Sequence, residues 1–203
     1  GDLYNNQDPD PWDNRNARRL RPEGIMLGNE DYGSGFNLRN IQVTNNLVSN
    51  CRRGITYYGE GGGLQDVTIA NNSVVVAAEN EVGGGWLTGI AIPAYGTNSN
   101  TIVKNNIIYS TNPTNTLIET SSNHNTAFNN NLYYATTNST PFRYNDTAVN
   151  FTTWKSSIGN QDVASINQNP QFVSIDPTST NFLKINSNSP AINMGATLAQ
   201  VTT

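Results

Sequence analysis

One phrase recurs along this chain, and the repeat constrains the fold more than any other feature of the sequence. It reads NIQVTNNLV at 40–48, DVTIANNSVV at 66–75, NTIVKNNIIY at 100–109 and NTAFNNNLYY at 125–134. In each copy a short apolar-leaning run precedes a pair of asparagines and a second apolar run follows. The second asparagines, Asn46, Asn72, Asn106 and Asn131, are separated by 26, 34 and 25 residues. Periods of ~20–50 residues are typical of stacked repeat architectures.

A second mark precedes each asparagine pair. GIML (24–27), GITYY (54–58) and GIAIP (89–93) stand before the first three pairs, and TLIET (116–120) occupies the same place in the fourth unit. Each unit therefore holds a strand, a loop, a second strand, an asparagine corner and a third strand. Helices fit poorly, because the runs are short and β-branched and are interrupted by Gly and Asn.

Aligned units place apolar residues at matching positions. Three residues before the marked asparagine stand Val43, Ile69, Val103 and Phe128, and one residue after it stand Leu47, Ser73, Ile107 and Leu132. We expect both sets to point inward and to stack at the ~4.8 Å spacing of neighbouring strands. The result would be a coil of parallel strands around an apolar axis, which is a β-helix.

The paired asparagines have a structural explanation in such a coil. The chain must turn a corner once per coil, and Asn tolerates the left-handed backbone conformation that a tight corner needs. Repeated at one corner, the side-chain amides can hydrogen-bond along the stack as a ladder. We therefore assign a structural role to Asn71, Asn72, Asn105, Asn106, Asn130 and Asn131.

The closing part of the chain carries a family resemblance. NFTTWKSSIGNQDVASINQNPQFVSIDPTSTNFLKINSNSPAINMG (150–195) resembles the C-terminal segment of secreted bacterial proteins of the pectate-lyase-like superfamily, with NPQFV, NFLKI and SPAINMG in the expected order. The resemblance covers roughly residues 23–195 and implies an all-β, right-handed parallel β-helix (a solenoid) of about four to five coils with an irregular C-terminal cap. Family members commonly carry more coils upstream and a further stretch downstream, so we expect this chain to be part of a longer protein or a trimmed one.

The resemblance also suggests an organisation in three parts. Residues 1–22 are interpreted as an N-terminal extension or cap, 23–149 as the β-helix coils and 150–203 as the closing segment. A single helical turn is expected around 150–159, with Trp154 covering the C-terminal end of the coil.

The superfamily implies carbohydrate chemistry, since it contains pectate, alginate and chondroitin lyases, polygalacturonases, epimerases and non-catalytic sugar binders. The polygalacturonase pattern of NTD, DD, GHG and RIK is absent from the sequence, and the one histidine, His124, stands in a polar loop. A lyase needs a Lys or Arg base beside a metal or a cation that neutralises the uronate. Lys104 has no such companion in its stack. The sequence thus predicts no catalytic set, and whether the chain is an enzyme stays open.

The loops after the first strands of successive coils gather acidic and aromatic residues. They read GNEDYGSG (28–35), YGEGGG (58–63) and PAYGTNSN (93–100), and VGGGWLTG (82–89) lies nearby. Acids accept hydrogen bonds from hydroxyls, and aromatic rings cover the apolar face of a sugar ring. The candidate carbohydrate-binding residues are Glu30, Asp31, Tyr32, Tyr58, Glu60, Trp86 and Tyr95. A glycosidase acid pair, or glycine-rich loops that bind nothing, are the alternatives.

A metal site is a further candidate at the start of the chain. Asp8, Asp10 and Asp13 crowd the stretch NNQDPDPWDN (5–14), and calcium prefers such oxygen ligands. The stretch lacks the glycine and the closing glutamate of an EF-hand, and an ordinary surface loop is the alternative. Calcium is the only cofactor that the sequence suggests.

Composition excludes several partners. Charged residues are 13% of the chain and its net charge is −4, so the basic face that nucleic acid requires is missing. The sequence contains no apolar run long enough to suggest a membrane span. The low-Lys, Asn/Thr-rich composition favours a secreted, extracellular protein. Cys51 is the only cysteine, so no disulfide forms within the chain.

These observations predict a β-helix domain that recognises an extracellular polysaccharide without cleaving it, as part of a larger secreted protein. A fragment of a polysaccharide lyase or glycoside hydrolase is one alternative. A structural protein is the other, because an uncovered terminal coil invites end-to-end self-association into fibres or oligomers.

Overall fold

The computed structural model describes residues 23–29, 35–59, 62–76, 87–93, 96–122, 125–159 and 161–198. Within these ranges the chain forms a parallel β-solenoid of about four turns built from three sheets. With strands numbered in chain order, the first sheet contains β1 (Ile25–Asn29), β4 (Arg53–Gly59), β7 (Thr88–Ile92), β10 (Thr116–Thr120), β13 (Phe142–Tyr144) and β14 (Thr147–Val149). The predicted all-β solenoid is confirmed.

The two other sheets complete each turn. The second contains β2 (Leu38–Thr44), β5 (Leu64–Ala70), β8 (Thr101–Lys104) and β11 (Thr126–Asn129). The third contains β3 (Leu47–Ser49), β6 (Ser73–Val75), β9 (Ile107–Ser110), β12 (Leu132–Ala135) and β15 (Ile166–Asn167). All strand pairs are parallel except β13 with β14, which run antiparallel.

The core consists of aligned apolar rows, one from each sheet. In the second sheet Val43, Ile69, Val103 and Phe128 pair in register and are all buried. In the first sheet the row is Ile25, Ile55, Ile90, Ile118 and Phe142. Because equivalent side chains stack directly from coil to coil, the apolar axis extends along the solenoid. The inward positions predicted before the corner are therefore confirmed.

The predicted inward positions after the corner are wrong by one residue. Leu47 is 60% exposed, and Ser73 and Ile107 are half-buried, although Leu132 is buried. The inward row of the third sheet is instead Val48, Val74, Ile108 and Tyr133. The reason is the alternation of a strand: the second asparagine of each pair faces inward, fully buried at Asn72, Asn106 and Asn131 and half-buried at Asn46, so the next inward side chain lies two residues further on.

The two asparagines of each corner have different structural roles. The first residue of each pair adopts a left-handed conformation, with φ of 60°, 57°, 58° and 54° at Asn45, Asn71, Asn105 and Asn130. The second residue forms the ladder. Asn72 Nδ2 donates to Asn106 Oδ1 at 2.9 Å, and Asn106 Nδ2 donates to Asn131 Oδ1 at 3.1 Å. These asparagines are buried, so the ladder satisfies polar groups inside the coil.

A cap closes the C-terminal end of the solenoid. Helix α1 (Phe151–Ser157) begins after Asn150, whose side chain accepts the main-chain N–H of Thr153 at 2.9 Å. Trp154 is fully buried and packs against Phe128 and Phe142 at ring-centroid distances of 5.4 and 5.6 Å. The predicted helical turn around 150–159 and the covering role of Trp154 are both confirmed.

Candidate functional site

An aromatic pair stands on the outer face of the third sheet. Tyr109 of β9 and Tyr134 of β12 are register partners, and their rings stack with centroids 5.9 Å apart and an interplanar angle of 26°. Each tyrosine is the third residue after its buried asparagine. The second residue points inward, so alternation turns the third outward.

The segment that follows β15 forms the opposite wall. The ring of Phe172 meets the edge of Tyr109 with centroids 5.8 Å apart. The segment is held in place by a short hairpin-like contact, in which the N–H of Val173 donates to the carbonyl of Lys184 at 2.7 Å. Between the walls lies a groove of about 400 Å³, which we call the aromatic groove; it is lined by Tyr109, Asn169, Gln171, Phe172, Val173, Ser174, Ile175 and Asp176.

The carboxylate of Asp176 is the charged group of the groove. Its Oδ1 accepts from the main-chain N–H of Thr178 at 2.9 Å and from the Thr178 hydroxyl at 2.8 Å. The main-chain bond, and then the hydroxyl bond, lower the pKa of Asp176, so the carboxylate is ionised at neutral pH. Within the described residues Oδ2 has no hydrogen-bond partner. It can accept from a ligand hydroxyl.

The remaining polar groups of the groove are neutral. Asn169 Oδ1 accepts the main-chain N–H of Gln171 at 2.8 Å, which leaves the amide groups of Asn169 and Gln171 as donors. Burial, with a smaller contribution from the neighbouring Tyr134, raises the pKa of Tyr109, so its hydroxyl stays protonated. No Lys or Arg is among the described residues that line the groove. The arrangement suits a neutral, hydroxyl-rich ligand that also has an apolar face.

The candidate residues from the sequence fall mostly outside the described part of the chain. Tyr58 is described: it lies in β4, pairs with Gly28 of β1 and is half-buried. Two residues earlier on the same strand, Thr56 pairs with Ala91, and both are buried. Glu30, Asp31, Tyr32, Glu60, Trp86 and Tyr95 lie outside the described residues. A carbohydrate site on this flank therefore stays a prediction.

The predicted calcium ligands cannot be placed either, since Asp8, Asp10 and Asp13 lie outside the described residues. Within the ranges that the structure describes, no three His, Cys, Asp or Glu side chains are grouped as metal ligands.

A charged cluster on the first sheet was not predicted. Glu119 lies 3.6 Å from Arg143 Nε, and Arg143 also donates to Asp146 Oδ1 at 2.9 Å. Burial raises the pKa of Glu119, and the nearby Arg143 and Arg53 only partly oppose this. Glu119 and Arg143 are register partners in the neighbouring strands β10 and β13. We therefore interpret the cluster as a contact that stabilises the pairing of these two strands.

The sequence contained a signal for the tyrosine pair beside the aromatic groove, but not for the residues of the facing segment. In NNIIY and NNLYY, Tyr109 and Tyr134 stand three residues after the second asparagine of their corners. The matching positions could have predicted that the two rings lie side by side on one face of the sheet. Nothing in the repeat places Phe172 or Asp176, which come from the irregular closing segment. Their position depends on how that segment folds back on the sheet.

Comparison with protein-family models, curated proteins and solved structures finds no match for this chain. The part of the chain that the structure describes contains no helix with the length and hydropathy of a membrane span.

Proposed function

We propose that this chain recognises an extracellular polysaccharide without cleaving it, and that it is a β-helix protein of the pectate-lyase-like superfamily. The observation that carries the functional proposal is the aromatic groove. It combines tyrosine and phenylalanine rings with amides and one carboxylate, which is the mixture that a sugar ring requires.

Pre-organisation supports binding at this place. Tyr109 is held by Tyr134 on one side and Phe172 on the other, so a ligand does not have to order a free side chain. The groove's exposed apolar residues, Val173 at 55% and Ile175 at 38%, extend the contact surface beyond the rings. A sugar would bury this surface and would offer hydroxyls to Asp176 and Gln171.

The groove also favours binding over cleavage. A glycosidase uses two carboxyl groups separated by ~5–9.5 Å. Among the lining residues that the structure describes, Asp176 is the single carboxylate, and none is a Lys or Arg that could serve as a lyase base. The proposed superfamily membership is supported by the closing-segment resemblance and by the parallel solenoid.

The test compares the two candidate faces directly. Wild type, Tyr109→Ala and Tyr58→Ala are run by affinity electrophoresis against a panel of neutral polysaccharides and polyuronides. We expect Tyr109→Ala to lose retardation by the neutral polymers while Tyr58→Ala keeps it. Thermal unfolding of each variant identifies any loss of binding that comes from loss of fold.

Other outcomes identify the alternatives. Loss of retardation in Tyr58→Ala alone would move the site to the first-sheet flank. No retardation of wild type by any polymer would overturn the proposal. Release of reducing ends, or of unsaturated products that absorb in the ultraviolet, would show that the chain is an enzyme.

A further inference from the structure

A second cavity lies beside the asparagine corners, between the coils and the closing segment. Its volume is about 270 Å³, close to the lower end of the ~300–1,000 Å³ that is typical of ligand pockets. A cavity of this size suits one small unit of a larger ligand. We call it the amide pocket; its lining includes Asn71, Ser73 and Ile107 of the coils and Ala191, Met194 and Gly195 of the closing segment.

Two outward asparagines hold the closing segment at the side of the pocket. Asn130 Nδ2 donates to the carbonyl of Met194 at 3.1 Å, and the amide of Asn105 makes two hydrogen bonds with the main chain of Ala196. Asn71 has the same left-handed corner conformation one coil earlier. Its side chain is exposed and makes no hydrogen bond within the described residues. The amide of Asn71 is therefore available to a ligand.

Ser73 departs from the repeat at a position that lines the pocket. On the outer face of the third sheet, Leu47, Ile107 and Leu132 stand in register with it, so the other coils have a large apolar side chain there. Ser73 is half-buried, and its hydroxyl makes no hydrogen bond with another described group. A leucine in its place would take up part of the pocket. The serine instead leaves space and supplies a hydroxyl that can both donate and accept.

The chemistry of the pocket favours a neutral ligand with hydroxyl groups. Within the described residues its available polar groups are the Asn71 amide, the Ser73 hydroxyl and Asn130 Oδ1, and none of the described lining residues is charged. An ionised ligand would find no counter-charge among them. A purely apolar ligand would leave the amides without partners, which costs free energy. Ile107 and Met194 add apolar contact, so the lining combines the two surfaces that a sugar ring presents.

The amide pocket and the aromatic groove lie against the same strand. Ile107 lines the pocket and Tyr109 lines the groove, and both flank the inward-facing Ile108 of β9. Two residues along a strand span about 6.6 Å, so one extended ligand can reach both cavities. Their walls are also joined, because Ser189 Oγ donates to the carbonyl of Pro170 at 2.6 Å. This bond ties the stretch that lines the pocket to the stretch that lines the groove.

We propose that the amide pocket is a second subsite for the polysaccharide, so that neighbouring sugar units of one chain occupy the aromatic groove and the amide pocket. This inference rests on the proposed function and narrows its ligand class. The chain is uncharged, because Asp176 in the groove repels a uronate and the pocket offers no counter-charge. One unit packs against Tyr109, and the next bonds through its hydroxyls to Asn71 and Ser73. Two linked subsites bind a chain more tightly than either binds one unit, because the second contact is intramolecular.

The test measures how affinity depends on the length of the ligand. Cello-, xylo- and manno-oligosaccharides of increasing length are titrated by calorimetry into wild type, Ser73→Leu and Asn71→Gly, with oligogalacturonides as the charged series. Asn45→Gly is the matched control, because Asn45 has the same left-handed corner but does not line the pocket. Glycine keeps the backbone conformation at both corners. Thermal unfolding shows whether each variant is folded, and Asn71→Gly decides alone if Ser73→Leu is not.

We expect wild-type affinity for the neutral oligosaccharides to rise with chain length. Ser73→Leu and Asn71→Gly should lose affinity for the longer chains by roughly tenfold and keep it for the shortest ones, which need only the groove. Asn45→Gly should bind like wild type.

The contrary results separate this inference from the proposed function. If wild type binds none of the oligosaccharides, both fail. If wild type binds them and the two pocket variants bind equally well at every length, the second subsite alone is refuted. Loss of the shortest chains in the pocket variants would also refute it, because the pocket would then be the primary site. Tighter binding of oligogalacturonides than of the neutral series would overturn the uncharged ligand class.

Discussion

Ser165 Oγ accepts the main-chain N–H of Asn131 at 2.7 Å, in the place where every earlier rung of the ladder uses the side-chain oxygen of the next asparagine. The Ser165 hydroxyl in turn donates to Asp162 Oδ1, and Asp162 Oδ2 accepts from Tyr133 and from Trp154 Nε1, each at 2.9 Å. The ladder therefore ends on a serine that is held by a buried carboxylate. This carboxylate joins the ladder to the aromatic cap.

Removal of a central rung should destabilise the solenoid. Asn106→Ala deletes the Oδ1 that accepts from Asn72 and the Nδ2 that donates to Ile69 and Asn131. We expect a loss of about 1–3 kcal/mol in the free energy of unfolding, because buried partners are left unsatisfied. Urea denaturation measures it. Asn188→Ala, at an exposed asparagine, is the control and should change little; equal effects of the two substitutions would contradict the ladder's contribution.

The free energy of unfolding should depend on pH because of Asp162, the buried carboxylate of the C-terminal cap. Burial raises its pKa, and the hydrogen bonds from Ser165, Trp154 and Tyr133 only partly oppose this. In the unfolded chain the carboxyl titrates near its usual value of about 3.9. The folded state therefore binds the proton more tightly, and this stabilisation is complete below the unfolded pKa and is lost as pH rises through the folded pKa.

The measurement compares wild type with Asp162→Asn, in which residue 162 does not titrate. The pH dependence that comes from the other acidic groups then cancels in the difference between the two proteins. The difference in free energy of unfolding, wild type minus variant, should be larger near pH 3 than near pH 7. A difference that grows with pH would mean that the three donors outweigh burial.

The glycines at the start of β1, β4 and β7 (Gly24, Gly54 and Gly89) should resist substitution. A Cβ at Gly89 would stand 2.6 Å from the carbonyl oxygen of Leu117 in the next coil and closer still to a methyl group of Ile108. Gly89→Ala should therefore cost about 1–3 kcal/mol through overpacking. At Gly28 the nearest atom to an added Cβ is the flexible Met26 Cε at 3.5 Å. A thermal melt should thus show Gly28→Ala close to wild type, and a reversed order would refute the packing argument.

The outward asparagines should hold the C-terminal segment to the solenoid. Asn105 Oδ1 accepts the main-chain N–H of Ala196 at 2.9 Å, and Asn105 Nδ2 donates to the Ala196 carbonyl at 2.8 Å. Asn105→Ala should speed hydrogen exchange at the Ala196 amide. Asn71→Ala is the control, because Asn71 has the same left-handed conformation at its corner but makes no hydrogen bond to this segment. Equal acceleration in both variants would assign the effect to the corner alone.

The repeat alone is enough to predict the coil. Asn tolerates a left-handed corner and Val or Ile fills an inward strand position, so the spacing of these residues predicts the parallel solenoid and the buried row from Val43 to Phe128. A helical turn around 150–159 is also predicted from the sequence, and α1 (Phe151–Ser157) lies there.

The face that each residue takes after the corner, and the groups that gather on that face, depend on tertiary contacts. The inward-facing second asparagine of each corner moves the inward row to Val48 and its equivalents, one residue beyond the prediction, because the corner and not the apolar pattern decides which strand residues face inward. Phe172 and Asp176 join Tyr109 although they are more than 60 residues away in the sequence. These residues come together because an irregular segment folds back along the sheet, and no short-range sequence pattern encodes its path. The repeat, in contrast, is present in the sequence of every coil.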